Sequence, residues 1–359
     1  MSKEKIEEKI ALHCAYWNRE NTGRPLVSFR LGDYFFSTEF KAAKHLLVEG
    51  KRITPDMLDV DLFMEDYERM YQEVAETGQD GFWVAEPFTG IPWMEAILGC
   101  EVYATKNSFI SHPWAQSIDD LDKIVLNTDN IWFKKYMEFV EKLNQLSKGR
   151  FPIGQPIMRG PSDMMGAVLG QTELVFALAE EPEKMKQLFL KITDIFLNVM
   201  KHQYNVISDF NGGYAIGFYH LWTPGKCIWY QEDLSALLSP AYYREFLKAS
   251  NEKICEGYDY TAIHLHPASF FILDELMKID KLKVIEVNKD VGGPSVKEMI
   301  PIFQKILTKK NIIIWGDLNE EDIDNIMQEL PSKGIFLNVV APTLERAKEL
   351  MTYIQSKVK

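Results

Sequence analysis

The chain is poor in cysteine, with four in 359 residues (Cys14, Cys100, Cys227, Cys255) and no Cys-x-x-Cys pair. Their spacing offers no metal-ligation pattern, and they read as buried free thiols in a reducing compartment. Long apolar runs are missing too: none reaches the roughly 18–20 residues needed to span a bilayer. Met1–Lys9 is charged and helix-like and lacks the apolar core of a signal peptide. The expected setting is therefore cytoplasmic, with no membrane partner. Positive charge is in short supply, since 40 Lys and Arg against 52 Asp and Glu give a net charge of −12. Such a surface repels phosphate backbones, so nucleic acid is not an expected partner. Low-complexity tracts and fixed-period repeats are also absent.

What is present is an alternation. Short apolar runs rich in Val, Ile, Phe and Trp are followed by amphipathic stretches, the pattern of repeated βα units on a parallel sheet. Eight strands are expected, at Gly81–Ala85, Phe151–Gln155, Gly213–Phe218, Cys227–Tyr230, Thr261–Leu265, Lys283–Val287, Ile312–Trp315 and Gly334–Val339. They span roughly 260 residues, close to the ~250 typical of an eight-stranded α/β barrel. The expected fold is α/β, a single (β/α)8 TIM barrel over residues 81–359. Residues 1–80 are read as a mostly helical N-terminal extension packed on it, with one apolar stretch, Leu26–Leu31. Helix starts are marked by Ser239-Pro240 ahead of Tyr242–Tyr258, by Gly293-Pro294 ahead of Ser295–Lys309, and by Asn319 ahead of Glu320-Glu321-Asp322. Leu174–Ser208 reads as two helices broken near Glu181-Pro182.

In such a barrel the chemistry sits where strands end. Polar residues collect there: Glu86; Gln155, with Arg159 and Asp163 beyond it; Tyr219 and His220; Glu232 and Asp233; His264 and His266; Glu286 and Asn288; Asp317; and Asn338. Loops are polar in any protein, so each position has a bland reading. Glu286 resists it, because it lies between Ile285 and Val287, where an unpaired carboxylate would cost several kcal/mol. It needs a partner, a proton or a metal. His264 and His266 are two apart on a strand and so share a face. They can share a metal ion, or serve as structural histidines, or hydrogen-bond a substrate.

The stretch from Gln231 to Phe246, with Leu238-Ser239-Pro240-Ala241-Tyr242-Tyr243-Arg244-Glu245-Phe246 at its end, resembles the uroporphyrinogen-decarboxylase superfamily. Glu86–Tyr103, Phe151–Gly166 and Trp315-Gly316-Asp317-Leu318 resemble further segments of it in order, so the likeness covers about Gly81 to Lys357. The resemblance implies a barrel and one of two chemistries. True decarboxylases hold substrate carboxylates with an N-terminal Arg-Gln-Ala-Gly-Arg-Tyr motif. Here Arg30-Leu31-Gly32-Asp33-Tyr34 keeps one arginine and places an aspartate where the second belongs. The chain is thus not expected to decarboxylate uroporphyrinogen. The other branch moves methyl groups between a corrinoid (cobalamin-type) protein and an acceptor in one-carbon metabolism, and several members hold zinc through His-x-Cys and a later cysteine. His264-x-His266 stands in the His-x-Cys place, and Asn338-Val339 stands near that of the later cysteine.

The resemblance therefore implies a corrinoid-dependent methyltransferase. Zinc would sit on His264, His266 and Glu286, with Glu232, Asp233 and Asp317 as other sources of a third ligand. Catalytic roles are expected for Glu232, Asp233, Tyr219 and Asp317. Substrate contacts are expected from Arg30, Glu86, Gln155, Arg159, Asn288 and Asn338. The partners implied are a small-molecule substrate and a corrinoid protein, around a monomer or homodimer. A cofactor-free decarboxylase or lyase acting on a small acid, with Arg30 or Arg159 holding its carboxylate, stays open. So does a non-catalytic corrinoid- or tetrapyrrole-binding relative.

Overall fold

A computed structural model describes residues 2–357; residue 1 and residues 358–359, the outer ends of the two expected segments, lie outside them. Six parallel strands form the central sheet: β1 (Leu26–Leu31), β2 (Cys227–Gln231), β3 (Tyr260–Leu265), β4 (Val284–Asn288), β5 (Asn311–Gly316) and β6 (Ile335–Ala341). Their order in space is β1-β6-β5-β4-β3-β2. Both faces are buried, which is why the strands read as continuous apolar runs. Alternate residues divide between two cores. Ile263, Ile285, Ile314 and Leu337 pack with the helices. Trp229, Ala262, Val284, Ile313 and Phe336 form a separate cluster on the other face.

The expected helix starts are present. Ser239 accepts from the Tyr242 N–H, while Ser295 and Asn319 each form a reciprocal cap with Glu298 and Asp322. The expected stretch Leu174–Ser208 does break at Glu181, giving Gln171–Glu180 and Pro182–Val206. The expected helix Tyr242–Tyr258 is interrupted by a π turn at Tyr243–Leu247. No helix among the described residues is long and apolar enough to cross a membrane.

The last five expected strands fall within two residues of their predicted bounds. The first three do not form parallel ladders. Gly81–Ala85 and Phe151–Gln155 share one isolated bridge, Ala85 to Ile153. Tyr214–Ile216 pairs antiparallel with Leu221–Thr223 instead. The reasons are local. Pro152 has no N–H to give a ladder. Gly154 and Gly217 approach so closely that a Cβ on Gly154 would collide with the Gly217 backbone. Gln155 replaces backbone pairing with its side chain, accepting the Trp229 N–H (3.0 Å) and donating to the Trp229 carbonyl (2.5 Å). At the other edge, the N–H groups of Asp80 and Gly81 donate to the Val27 carbonyl (2.8 and 3.1 Å), and that of Phe82 donates to the His220 carbonyl (3.1 Å). Leu26–Leu31 also departs from expectation. It does not pack on the sheet from outside: it is β1, paired with β6 from Leu26 against Phe336 to Leu31 against Ala341.

Candidate metal centre

The carboxyl ends of β2, β3 and β4 meet in a cluster of acids and imidazoles. Register places Gln231 beside His264 and His264 beside Glu286. Glu286, fully buried on β4, therefore takes Nδ1 of His264 and also accepts from the Tyr219 hydroxyl (2.9 Å). One residue past β3, His266 Nδ1 meets Asp290 Oδ1 at 2.7 Å, and Asn288 also donates to that oxygen. The two rings lie 4.5 Å apart between centres and nearly perpendicular. With Nδ1 occupied on each ring, Nε2 is left to point elsewhere, and both point to Asp233: Oδ1 lies 3.9 Å from each. Asp233, His264 and His266 thus offer three ligand atoms within 4.8 Å of one another.

The electrostatics suit a cation. Three carboxylates (Asp233, Glu286, Asp290) face two imidazoles. Burial opposes a charge on His264, but Glu286 outweighs it and lifts the imidazole to about 9. Burial and the same carboxylate push the Tyr219 hydroxyl well above its ordinary value. Beside the histidines lies a cavity of about 360 Å³ walled by Phe36, Phe218, Tyr219, Trp229 and Trp315, with Asn288 and Lys289 at its edge. The rings touch edge to face, Phe218 with Trp315 at 5.4 Å and Tyr219 with Trp229 at 5.1 Å.

The loop carrying Asp233 is clasped from both sides. Asp163, in the first turn of the helix Pro161–Leu169, accepts the N–H groups of Asp233 and Leu234. Glu232 accepts in return from the Ser162 N–H (2.8 Å) and hydroxyl, and from Asn251 (2.7 Å). Burial pushes Glu232 up to about 7, against those hydrogen bonds. Burial, then the charges of Asp233 and Glu232, push Asp163 well above the carboxylate range.

Not every expected site residue joins the cluster. Glu286 lies behind His264, and Asp233 takes the third position expected of it. Glu232 faces the helix, not the cavity. Asp317 is 59% exposed and pairs with Lys289 at 3.3 Å. Gln155 is occupied by Trp229. Arg159 pairs with the buried Glu95 at 3.1 Å. Asn338, wholly buried mid-strand, donates to Ser28 (2.6 Å) and to the Tyr219 carbonyl (3.2 Å). Arg30 and Glu86 line a different cavity. Asp290 was missed, although it follows Asn288 by two residues in the same polar turn. Apart from Tyr219, the aromatic wall was missed because its rings come from four separate segments.

No known protein-family profile matches the chain, and no curated protein does. Among solved structures, a methyltransferase from Methanosarcina mazei matches with a TM-score of 0.66 and 15% identity, over 97% of this chain and 98% of that one. A mannanase, man26, from Bacillus subtilis covers 97% of this chain and 90% of its own at 10% identity, but its TM-score of 0.41 is too low to bear on fold or chemistry. What this chain shares with the Methanosarcina methyltransferase is the fold.

Proposed function

We propose that the chain is a methyltransferase that moves a methyl group between a corrinoid, carried on a partner protein, and a small acceptor held in the aromatic cavity. The single observation behind it is the convergence of two imidazole Nε2 atoms and the Asp233 carboxylate at the mouth of that cavity, with each far Nδ1 already held by a carboxylate. That pairing is how metal-binding histidines are oriented. Zinc fits the donors. Tetrahedral ligands with bonds of about 2.0–2.1 Å stand about 3.4 Å apart, close to the 3.9 Å from each Nε2 to Asp233. When bound there, zinc would lower the pKa of an acceptor thiol so that it reacts as thiolate. The chain's own groups do the rest: Glu286 and Asp290 fix the ring orientations, and the aromatic wall excludes water. The likeness of fold to a methyltransferase supports methyl transfer, and the superfamily resemblance at Gln231–Phe246 is what suggests the corrinoid.

The same reading takes the sheet as a closed eight-stranded barrel. Gly81–Glu86 and Phe151–Gln155 would complete it between β1 and β2 through the single hydrogen bonds described above. Of the two arginines on which the lyase alternative relies, Arg159 pairs with the buried Glu95 at 3.1 Å, and Arg30 lines a separate cavity away from the histidines. Elemental analysis tests the proposal. Native protein should carry about one metal per chain, and the His264→Ala, His266→Ala double variant almost none. With methylcobalamin and a thiol, the native protein should transfer methyl and the double variant should not. Equal, near-zero metal in both proteins sinks the metal site, and absence of transfer from metal-loaded protein sinks the reaction.

A further inference from the structure

A second cavity, of about 420 Å³, opens beside β1 and the helix Val60–Ala75, and it shares no lining residue with the histidine cavity. Five buried polar atoms on its walls have no partner: Arg30 Nε, Arg69 Nε, Glu39 Oε1, Glu86 Oε2 and His220 Nδ1. Buried polar atoms are nearly always paired, so five around one space call for something polar to fill it.

Around Arg30 the charges are held apart instead of closing on each other. Arg30 Nε stands 4.0 Å from Glu39 Oε1, and its Nη1 stands 3.8 Å from Glu86 Oε1. Both lie beyond hydrogen-bond reach. The arrangement is propped from outside. The Arg30 guanidinium lies on the rings of Phe36 (3.9 Å) and Phe218 (4.6 Å). Glu86 is held by Thr89, and Arg69 by Asp66, by Glu73 (3.1 Å) and by the Glu39 carbonyl.

We propose that this cavity binds an α-amino acid, with its carboxylate on Arg30, its ammonium at Glu39 and Glu86, and its side chain against Phe40, Met70 and Trp83. A simple anion would face the two carboxyls, and a simple amine would face the Arg30 guanidinium. A neutral molecule carrying both ends meets all of them, and a planar guanidinium suits a carboxylate best. Burial, opposed by Arg30, holds Glu39 and Glu86 at about 7, and an ammonium would bring them a second positive charge within hydrogen-bond reach. The site does not depend on the metal reading.

Isothermal titration of each standard L-α-amino acid into the full-length, metal-free protein tests the proposal. At least one should bind with a Kd below about 1 mM. Its matched carboxylic acid and matched amine should each bind at least about tenfold more weakly. Arg30→Lys and Glu39→Gln should each weaken it by a similar factor, with circular dichroism and the unfolding midpoint confirming a folded protein. The proposal fails if no amino acid binds at about 10 mM, leaving a water-filled cavity. It also fails if the acid or amine alone binds as tightly, or if both folded variants bind like the native protein. Removing metal beforehand keeps this result separate from the fate of the histidine site.

Discussion

Asp163 accepts the backbone N–H groups of both Asp233, at 3.1 Å, and Leu234, at 2.7 Å. The carboxylate on the helix thereby fixes the loop that aims the carboxylate at the histidines. Asp163 itself touches neither ring, so it is a positioning residue. Asp163→Ala should loosen Asp233 and weaken zinc binding by about 10–100-fold, the usual effect of removing a ligand's support. Competition titration against a chromophoric chelator measures this. Unchanged affinity in a folded variant would show that Asp233 needs no such support.

Gln155 performs a backbone's work with a side chain. Gln155→Leu leaves the Trp229 N–H and carbonyl without partners, at a cost of about 2–4 kcal/mol. Urea unfolding reads the stability, and elemental analysis of the folded fraction should show the native metal content. A loss of metal with native stability would instead make Gln155 part of the site.

Much of this was legible in the sequence, and the rest was hidden by physics that sequence does not carry. β2 to β6 were readable because strands buried on both faces are uninterrupted apolar runs. His264 and His266 were readable because two-residue spacing on a strand puts both on one face. The third member was harder. Glu286, an acid amid Ile285 and Val287, was conspicuous, whereas Asp233 sat in an ordinary polar loop. Only the register, with His264 beside Glu286 and Gln231 beside His264, decides that Glu286 takes the near nitrogen and leaves the far one for Asp233. Leu26–Leu31 was visible as an apolar stretch, but nothing local says that its partner is the last strand.

Gly154 has a steric reason to be glycine. Gly154→Ala would drive a methyl group into the Gly217 backbone, and backbone cannot step aside as a flexible side chain can. A loss of about 3 kcal/mol or more is expected, or failure to fold. A near-native melting temperature would mean that the two segments do not lie this close.

Glu86 ties stability to pH. Burial, opposed by Arg30 and Thr89, raises its carboxyl from 4.5 to about 7. A carboxyl that holds its proton more tightly when folded favours the fold fully below about pH 4.5, and that contribution is lost as pH rises to about 7. Glu86→Gln keeps the neutral shape at every pH. The variant should therefore gain on the native protein by up to about 3 kcal/mol between acid and neutral pH, as read from urea midpoints. A difference that stays flat across this range would refute the account.

The pairing of β1 with β6 also bears on how the chain reaches this state. The hydrogen bond from Asn338 to Ser28 joins residues 310 apart in sequence, and all six rungs between the two strands are of that kind. On a ribosome adding about 5–20 residues each second, β1 would wait roughly fifteen seconds to a minute for its partner. During that time a strand of Leu, Val and Phe exposes an unsatisfied edge, which makes the early nascent chain, more than the finished protein, the natural client of a chaperone.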